Sequence, residues 1–326
     1  MRFVFFGDGL WATNCLQRLL DDGHQALAVV LRKHQSDLTL EKFAQNHSIS
    51  CNRPDSVNET EFVRCVQALA PDLNISVSYD QILRKAIRQS APKGFINAHA
   101  GKLPFYRGRN PINWAIINNE TEIGLTVHFV DKGIDTGDIV VQRTLPLEWK
   151  DNYQTALEKV QLALPDLVAK SVNLIESGEV KPEPQAHLEG SYFSRRIPGD
   201  EWIDWDDSSL GIYNKIRAIT HPAPGARTSL DGRTLTIWKA SYEPSWPTYR
   251  ATPGEVVGVT TGTGVRVKTA DSTIMLEVVQ FENEPEFPPD FAIGTRFISS
   301  LSEQVQNLTQ EVKLLRERIK EKVNND

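Results

Sequence analysis

The sequence predicts an α/β protein whose first half forms a mostly parallel sheet, followed by a smaller β-rich domain. Three observations carry this. Short apolar runs recur through the first half and stop at glycine or polar residues; helical spacing separates the early ones; and after about Asp200 the texture changes to short β-type runs. Arg2 to Phe6 reads as a buried strand that ends at Gly7-Asp8-Gly9, and Trp11 to Leu20 then repeats apolar residues at helical spacing. Ala26 to Leu31, Leu73 to Val77 and Gly94 to Ile96 continue the strand series, with Gly124 to Val130 and Asp138 to Gln142 after them. Glu59 to Ala70 and Gln81 to Gln89 read as intervening helices, and Tyr153 to Ser177 as a long one. This alternation predicts a Rossmann-like sheet with helices on both faces.

Glu179 to Pro184 has the proline and charge of a linker. Arg233 to Trp238, Gly254 to Val259, Gly264 to Thr269 and Thr273 to Val279 then predict a small β-barrel or sandwich. The expected organisation is a catalytic domain over 1–185, a β-rich domain over 200–297 and a helical tail over 298–326. In that tail Leu301, Val305, Leu308, Val312, Leu315 and Ile319 alternate steps of four and three. Leucine at d with β-branched residues at a suits a parallel two-stranded coil spanning 301–323, and so a homodimer. A single amphipathic helix on its own chain fits the same pattern.

The 326 residues suffice for two domains, and 40% hydrophobic with 24% charged residues is ordinary for a globular protein. The opening apolar run is too short for a signal peptide, and no stretch is long enough to cross a bilayer, so a cytoplasmic protein is expected. Cys15, Cys51 and Cys65 have no metal-ligand spacing, and no metal is expected. The formal net charge is −6, and acids outnumber bases between Glu201 and Ser300. Both lean against a nucleic-acid partner, because phosphate contacts call for basic surface.

The densest chemistry lies between Phe95 and Val140. Asn97 and His99 stand two apart at the end of a strand, so both point to one side at the carboxyl edge of the sheet. A loop rich in Gly, Pro and Arg follows, from Gly101 to Pro111, and Asp131 to Asp138 forms a polar turn further on. These residue types suit acyl transfer to an amine. Histidine serves as general base for the attacking amine, the asparagine amide donates to the oxyanion, and Asp135 fixes the histidine tautomer and stabilises its charged form. Each residue alone also has a plain structural use at a strand end or turn.

Asn97-Ala98-His99, Leu103-Pro104-x-x-Arg107-Gly108, Pro111-x-x-Trp114-Ala115, Gly124-x-Thr126-x-His128 and Asp135-Thr136-Gly137 together resemble the 10-formyltetrahydrofolate-dependent formyltransferases. Ile203-Asp204-Trp205, Ile216-Arg217-Ala218 and Pro224-Gly225-Ala226 extend the resemblance to about Ile298. It implies 10-formyltetrahydrofolate as formyl donor, Asn97, His99 and Asp135 as the catalytic set, and a folate pocket built from Gln81, Ile82, Leu83, Arg109, Asp131, Lys132, Gly133 and Ile134. Apolar Ile82 and Leu83 suit the face of a pterin.

For the acceptor, Gly101-Lys102, Phe105 to Asn110 and Ser194 to Pro198 resemble the sugar N-formyltransferases. The expected substrate is therefore a dTDP- or UDP-linked 4-amino-4,6-dideoxyhexose for cell-surface polysaccharide. Lys102, Arg195 or Arg196 would meet its diphosphate, Gly9 would approach it at a helix N-terminus, and Trp11 or Tyr192 would stack on its base. Methionyl-tRNA is the alternative acceptor. A more distant alternative is an NADP-dependent oxidoreductase, because Gly7-x-Gly9-x-x-Ala12 follows a strand and Arg32 ends the next one.

Overall fold

The protein is described from a computed structural model that covers residues 1–34, 37–185, 189–298, 305, 309–310 and 312–316. Contact clustering gives two compact units, one comprising Met1–Ala115, Glu120–Lys150 and Thr155–Arg195, the other Ile116–Asn119, Asp151–Gln154 and Arg196–Asp326.

In the first unit the expected strands form at their expected places. β1 (Arg2–Gly7), β2 (Gln25–Leu31), β3 (Cys51–Asn52), β4 (Leu73–Val77) and β5 (Phe95–His99) run parallel. β6 (Arg107–Gly108) lies outside this sheet, and β7 (Glu122–Phe129) and β8 (Ile139–Pro146) close it antiparallel. The order is β3-β2-β1-β4-β5-β7-β8. The chain therefore leaves β1 for one neighbour and later returns to pair with its other side, which makes the carboxyl ends of β1 and β4 a switch point where α/β sheets bind ligands. β1 is buried on both faces, as the run of Phe and Val requires of a covered strand. Val4, Phe6, Val30 and Phe95 share one core cluster with Val63, Val66 and Ile87.

The helices are α1 (Gly9–Asp21), α2 (Thr39–Asn46), α3 (Thr60–Ala68), α4 (Lys85–Arg88), α5 (Pro111–Ile117) and α6 (Tyr153–Ser177). The helix expected over Gln81 to Gln89 shrinks to the single turn of α4, and Asn58 supplies the reason. Its Nδ2 donates to Ile82 O at 2.8 Å and its Oδ1 accepts from Arg84 N at 2.8 Å, capturing backbone groups that a first helical turn would use. β9 (Tyr192–Phe193) pairs in parallel with β6.

The second unit holds α7 (Ser209–Ile219), a helix that the β-type reading of this region did not include, capped by Ser208 Oγ accepting from Gly211 N at 3.1 Å. Its apolar face packs on an antiparallel sheet. The strands are β10 (Ala226–Leu230), β11 (Arg233–Ser241), β12 (Val256–Thr260), β13 (Gly264–Lys268) and β14 (Thr273–Phe281), ordered β10-β11-β14-β13-β12. Leu235, Ile237, Val265, Val267, Leu276 and Val279 are buried at its centre. Of the heptad positions, Val305, Val312 and Leu315 are helical and exposed; Leu301, Leu308 and Ile319, and with them the coiled-coil expectation, lie outside the described residues. Among the described residues no helix is long and apolar enough to cross a membrane.

Candidate active site

A cleft of about 420 Å³ opens at the carboxyl ends of β4 and β5 and is lined entirely by the first unit. It contains Asn97, His99 and Asp135 and all eight residues expected around the folate, Gln81 to Leu83, Arg109 and Asp131 to Ile134.

Two strands and two loops assemble its centre. β5 presents Asn97 and His99, and the antiparallel register sets Asn97 against His128 and His99 against Thr126 on β7. His99 Nε2 lies 2.7 Å from the carbonyl oxygen of Tyr106. A carbonyl only accepts, so this nitrogen carries the proton and Nδ1 holds the lone pair. Nδ1 sits 3.7 Å from Asp135 Oδ2. The sequence assigned the tautomer to Asp135; the anchor is the Tyr106 carbonyl instead, and the carboxylate faces the other ring nitrogen. The line of this bond passes over Gly101, where a Cβ would sit 2.6 Å from His99 Nε2 and 2.7 Å from Tyr106 O. Thr126 Oγ1 donates to Gly101 O at 2.7 Å and takes a bond from Gln142 Nε2 at 2.9 Å, so a buried polar chain pins the loop from below.

Asp135 adopts φ +53°, an unusual conformation for a residue with a side chain, and reaches inward. Its Oδ2 accepts from Gly108 N at 2.8 Å, and its Oδ1 lies 3.4 Å from His128 Nε2. Burial raises its carboxyl, but the charge that His99 carries when protonated, the adjacent His128 ring and the Gly108 amide outweigh burial and hold it well below the usual carboxylate range. Asn97 Nδ2 is 3.3 Å from His128 Nε2. His128, 1% exposed, entered the sequence reading only as part of a motif; its place opposite Asn97 becomes visible once the β5–β7 register is known.

The wall residues divide by what their side chains do. Ile82 and Ile134 are 62% and 52% exposed, an aliphatic pair left open at the cleft. Gln81 is turned away, accepting from Val57 N at 2.9 Å and donating to Pro54 O at 3.3 Å, so it shapes the wall and offers the cleft no amide. Arg109 Nη2 donates to Asp80 O at 2.7 Å. Asp131 closes its own turn, accepting from Gly133 N at 3.0 Å and Thr136 Oγ1 at 2.6 Å.

Of the six residues expected to contact the acceptor, only Trp11 lines the cleft. Lys102 turns to the other side of its loop and pairs with Glu122 beside a separate cavity. Tyr192 is 58% exposed and stacks under the Arg107 guanidinium, and Arg195 is exposed. Arg196 belongs to the second unit, and Gly9 is buried in the first turn of α1. Arg32, which the oxidoreductase alternative would use for a 2′-phosphate, is engaged by Asp8 at 3.4 Å and Ser78 Oγ at 3.0 Å. Gly7 is explained by packing, since a Cβ there would meet Ala12 Cβ at 2.9 Å and Val77 O at 3.0 Å.

Comparison with known proteins decides the class. The sequence model described as Formyl transferase matches residues 1–170, and that of the Formyl transferase C-terminal domain matches 197–295. The chain belongs to the formyl transferase family. It is an enzyme of that family, and the oxidoreductase alternative falls away. Among its relatives in the family, the methionyl-tRNA formyltransferase of Geotalea uraniireducens is 33% identical over 303 residues, 90% of this chain and 95% of that protein. The methionyl-tRNA formyltransferase of Caldanaerobacter subterraneus subsp. tengcongensis is 35% identical over 249 residues, 74% of this chain and 80% of that protein. The solved structure of WlaRD, a sugar 3N-formyl transferase in the presence of dTDP and 5-N-formyl-THF, aligns with TM-score 0.67 at 23% identity, over 87% of this chain and 99% of that one. HypX from Aquifex aeolicus in complex with tetrahydrofolic acid aligns with TM-score 0.62 at 20% identity, over 88% of this chain and 46% of that one. At these identities the structures show a shared fold.

The amino-sugar nucleotide expected as acceptor is thereby overturned, since relatives at 30% identity and above that match over most of their length are methionyl-tRNA formyltransferases. The geometry agrees in one respect: Lys102 and Arg195, on which that expectation leaned, do not reach the cleft. The expectation of no nucleic-acid partner loses its support with it, because a summed charge says nothing of where the charges sit.

Proposed function

We propose that the protein transfers the formyl group of 10-formyltetrahydrofolate to the aminoacyl amine of methionyl-tRNA, with Asn97, His99 and Asp135 as the catalytic set. The observation that carries the mechanism is the anchored His99 ring, whose Nε2–H is held by Tyr106 O while its bare Nδ1 faces Asp135. The relatives that share most of the chain's length support the acceptor.

The residues present fit a folate. Ile82 and Ile134 offer exposed aliphatic surface to a flat heteroaromatic ring, and Arg109 adds a cation to the same cleft. When bound, the folate supplies the formyl carbon on which the amine acts. His99 Nδ1 takes the proton the amine loses as its nitrogen bonds to that carbon, and Asp135, 3.7 Å away, balances the imidazolium. The Asn97 Nδ2–H stabilises the oxygen as it gains negative charge. When the bond from carbon to the folate nitrogen breaks, His99 returns the proton to that nitrogen, leaving tetrahydrofolate and a formamide.

The test is incubation with 10-formyltetrahydrofolate and, separately, methionyl-tRNA, uncharged tRNA and free methionine. A formyl mass gain on the aminoacyl ester of methionyl-tRNA alone is expected. Formylation of a small amine with methionyl-tRNA untouched would overturn the acceptor and leave the catalytic set standing.

A further inference from the structure

An asparagine amide helps an oxyanion only if its nitrogen faces it. The two ends of the amide have the same shape, and a half-turn would aim the oxygen at the developing charge. The Asn97 side chain therefore needs a neighbour that distinguishes donor from acceptor, and His128 is placed to be that neighbour. We infer that His128 is a positioning residue that fixes the direction of the Asn97 amide.

His128 Nδ1 lies 2.8 Å from the carbonyl oxygen of Phe129, which only accepts, so Nδ1 carries a proton. In the neutral ring Nε2 is then a bare acceptor, 3.3 Å from the Asn97 amide. A bare acceptor takes only a donor, so the NH₂ end of Asn97 turns to His128. One hydrogen of that nitrogen is used there, and the second remains for the cleft that Asn97 lines. The groups around the ring are Asn97 and His99 from β5 and Asp135 from its loop, the His99 ring standing edge-on at 6.5 Å. A proton on Nε2 would point at Asp135 Oδ1, 3.4 Å away, and would turn the Asn97 oxygen toward His128. His128 thus works as the tautomer that carries its proton on Nδ1 and leaves Nε2 to accept from Asn97. Burial at 1% exposure keeps water from substituting for it.

This rests on Asn97 being the oxyanion donor, and the two ideas fail separately. Asn97→Ala tests the donor alone: retained turnover would sink both. With that loss established, His128→Leu should lower kcat by on the order of a hundredfold, as removal of an oxyanion donor does, while the KM for the folate holds. In the Asn97→Ala background the same change should cost nothing further, because nothing is left to orient. His128→Gln, whose amide oxygen can accept from Asn97, should recover much of the loss. Additive losses in the double variant, or a His128→Leu enzyme as fast as the parent, would overturn the inference. Nitrogen NMR of the unmodified enzyme needs no variant to fold. A protonated Nδ1 with a bare Nε2 on His128 at the working pH is expected, and a protonated Nε2 would contradict it.

Discussion

His99 donates its Nε2 proton to the main-chain carbonyl of Tyr106 at 2.7 Å, and this bond decides which nitrogen of the ring is free to accept a proton. Tyr106 itself sits at φ +59°, held by Ser191 Oγ accepting from its amide at 2.9 Å. The loop after β5 thus shapes the site: its backbone sets the tautomer that a side-chain carboxylate sets in a Ser-His-Asp triad.

Gly101→Ala puts a methyl 2.6 Å from the ring nitrogen and 2.7 Å from its acceptor, so the His99–Tyr106 bond must open. The expected outcome is a fall in kcat of tenfold or more, on the scale of a misplaced general base, with little change in folate affinity. Steady-state kinetics against folate concentration check it; an Ala variant with parental kcat would mean that the ring needs no such anchor.

The depressed Asp135 carboxyl gives a stability signature. Its folded-state value lies below the unfolded one of about 3.9, so ionised Asp135 stabilises the fold above about pH 4, and that contribution is lost as pH falls through the folded value. Thermal melting of the parent and of Asp135→Asn should therefore differ at pH 7 and converge in acid below about pH 4. A gap that stays constant with pH would show that the charge adds nothing. For the same reason Asp135 does not supply the acid limb of the rate profile near neutrality.

Asn58 holds the wall from Ile82 to Arg84 through two 2.8 Å bonds and lies outside the cleft lining. Asn58→Ala should let this wall relax and raise the KM for the folate several-fold, each lost bond being worth about 1 kcal/mol, with kcat nearly unchanged. Folate titration by fluorescence reads this directly. An unaltered affinity would place the folate elsewhere.

The sequence made the strands legible because the apolar run Phe3 to Phe6 stops at Gly7 and the strand Leu73 to Val77 follows the breaker Pro71-Asp72. It made Asn97, His99 and Asp135 legible because two of them sit two apart at a strand end and the third in a polar turn. His128 was harder to see. Its place beside Asn97 comes from a cross-strand register that skips the whole loop between β5 and β7, which local pattern does not encode. Gln81 to Arg84 was misread as helix because Asn58, more than twenty residues away, takes the backbone bonds. Lys102 was misread as facing the acceptor because spacing cannot tell which side of a loop a side chain leaves; its pairing with Glu122 answers that. The diphosphate contact was misjudged for a related reason, since Lys102 and Arg195, which suggested it, lie outside the cleft lining.

The most direct measurement is single-turnover formyl transfer to methionyl-tRNA by the parent, Asn97→Ala and His99→Gln enzymes, each saturated with 10-formyltetrahydrofolate. Both variants should bind the folate as the parent does and transfer the formyl group slower by about 10² or more. Transfer at the parental rate by either variant would contradict the catalytic roles read from this cleft.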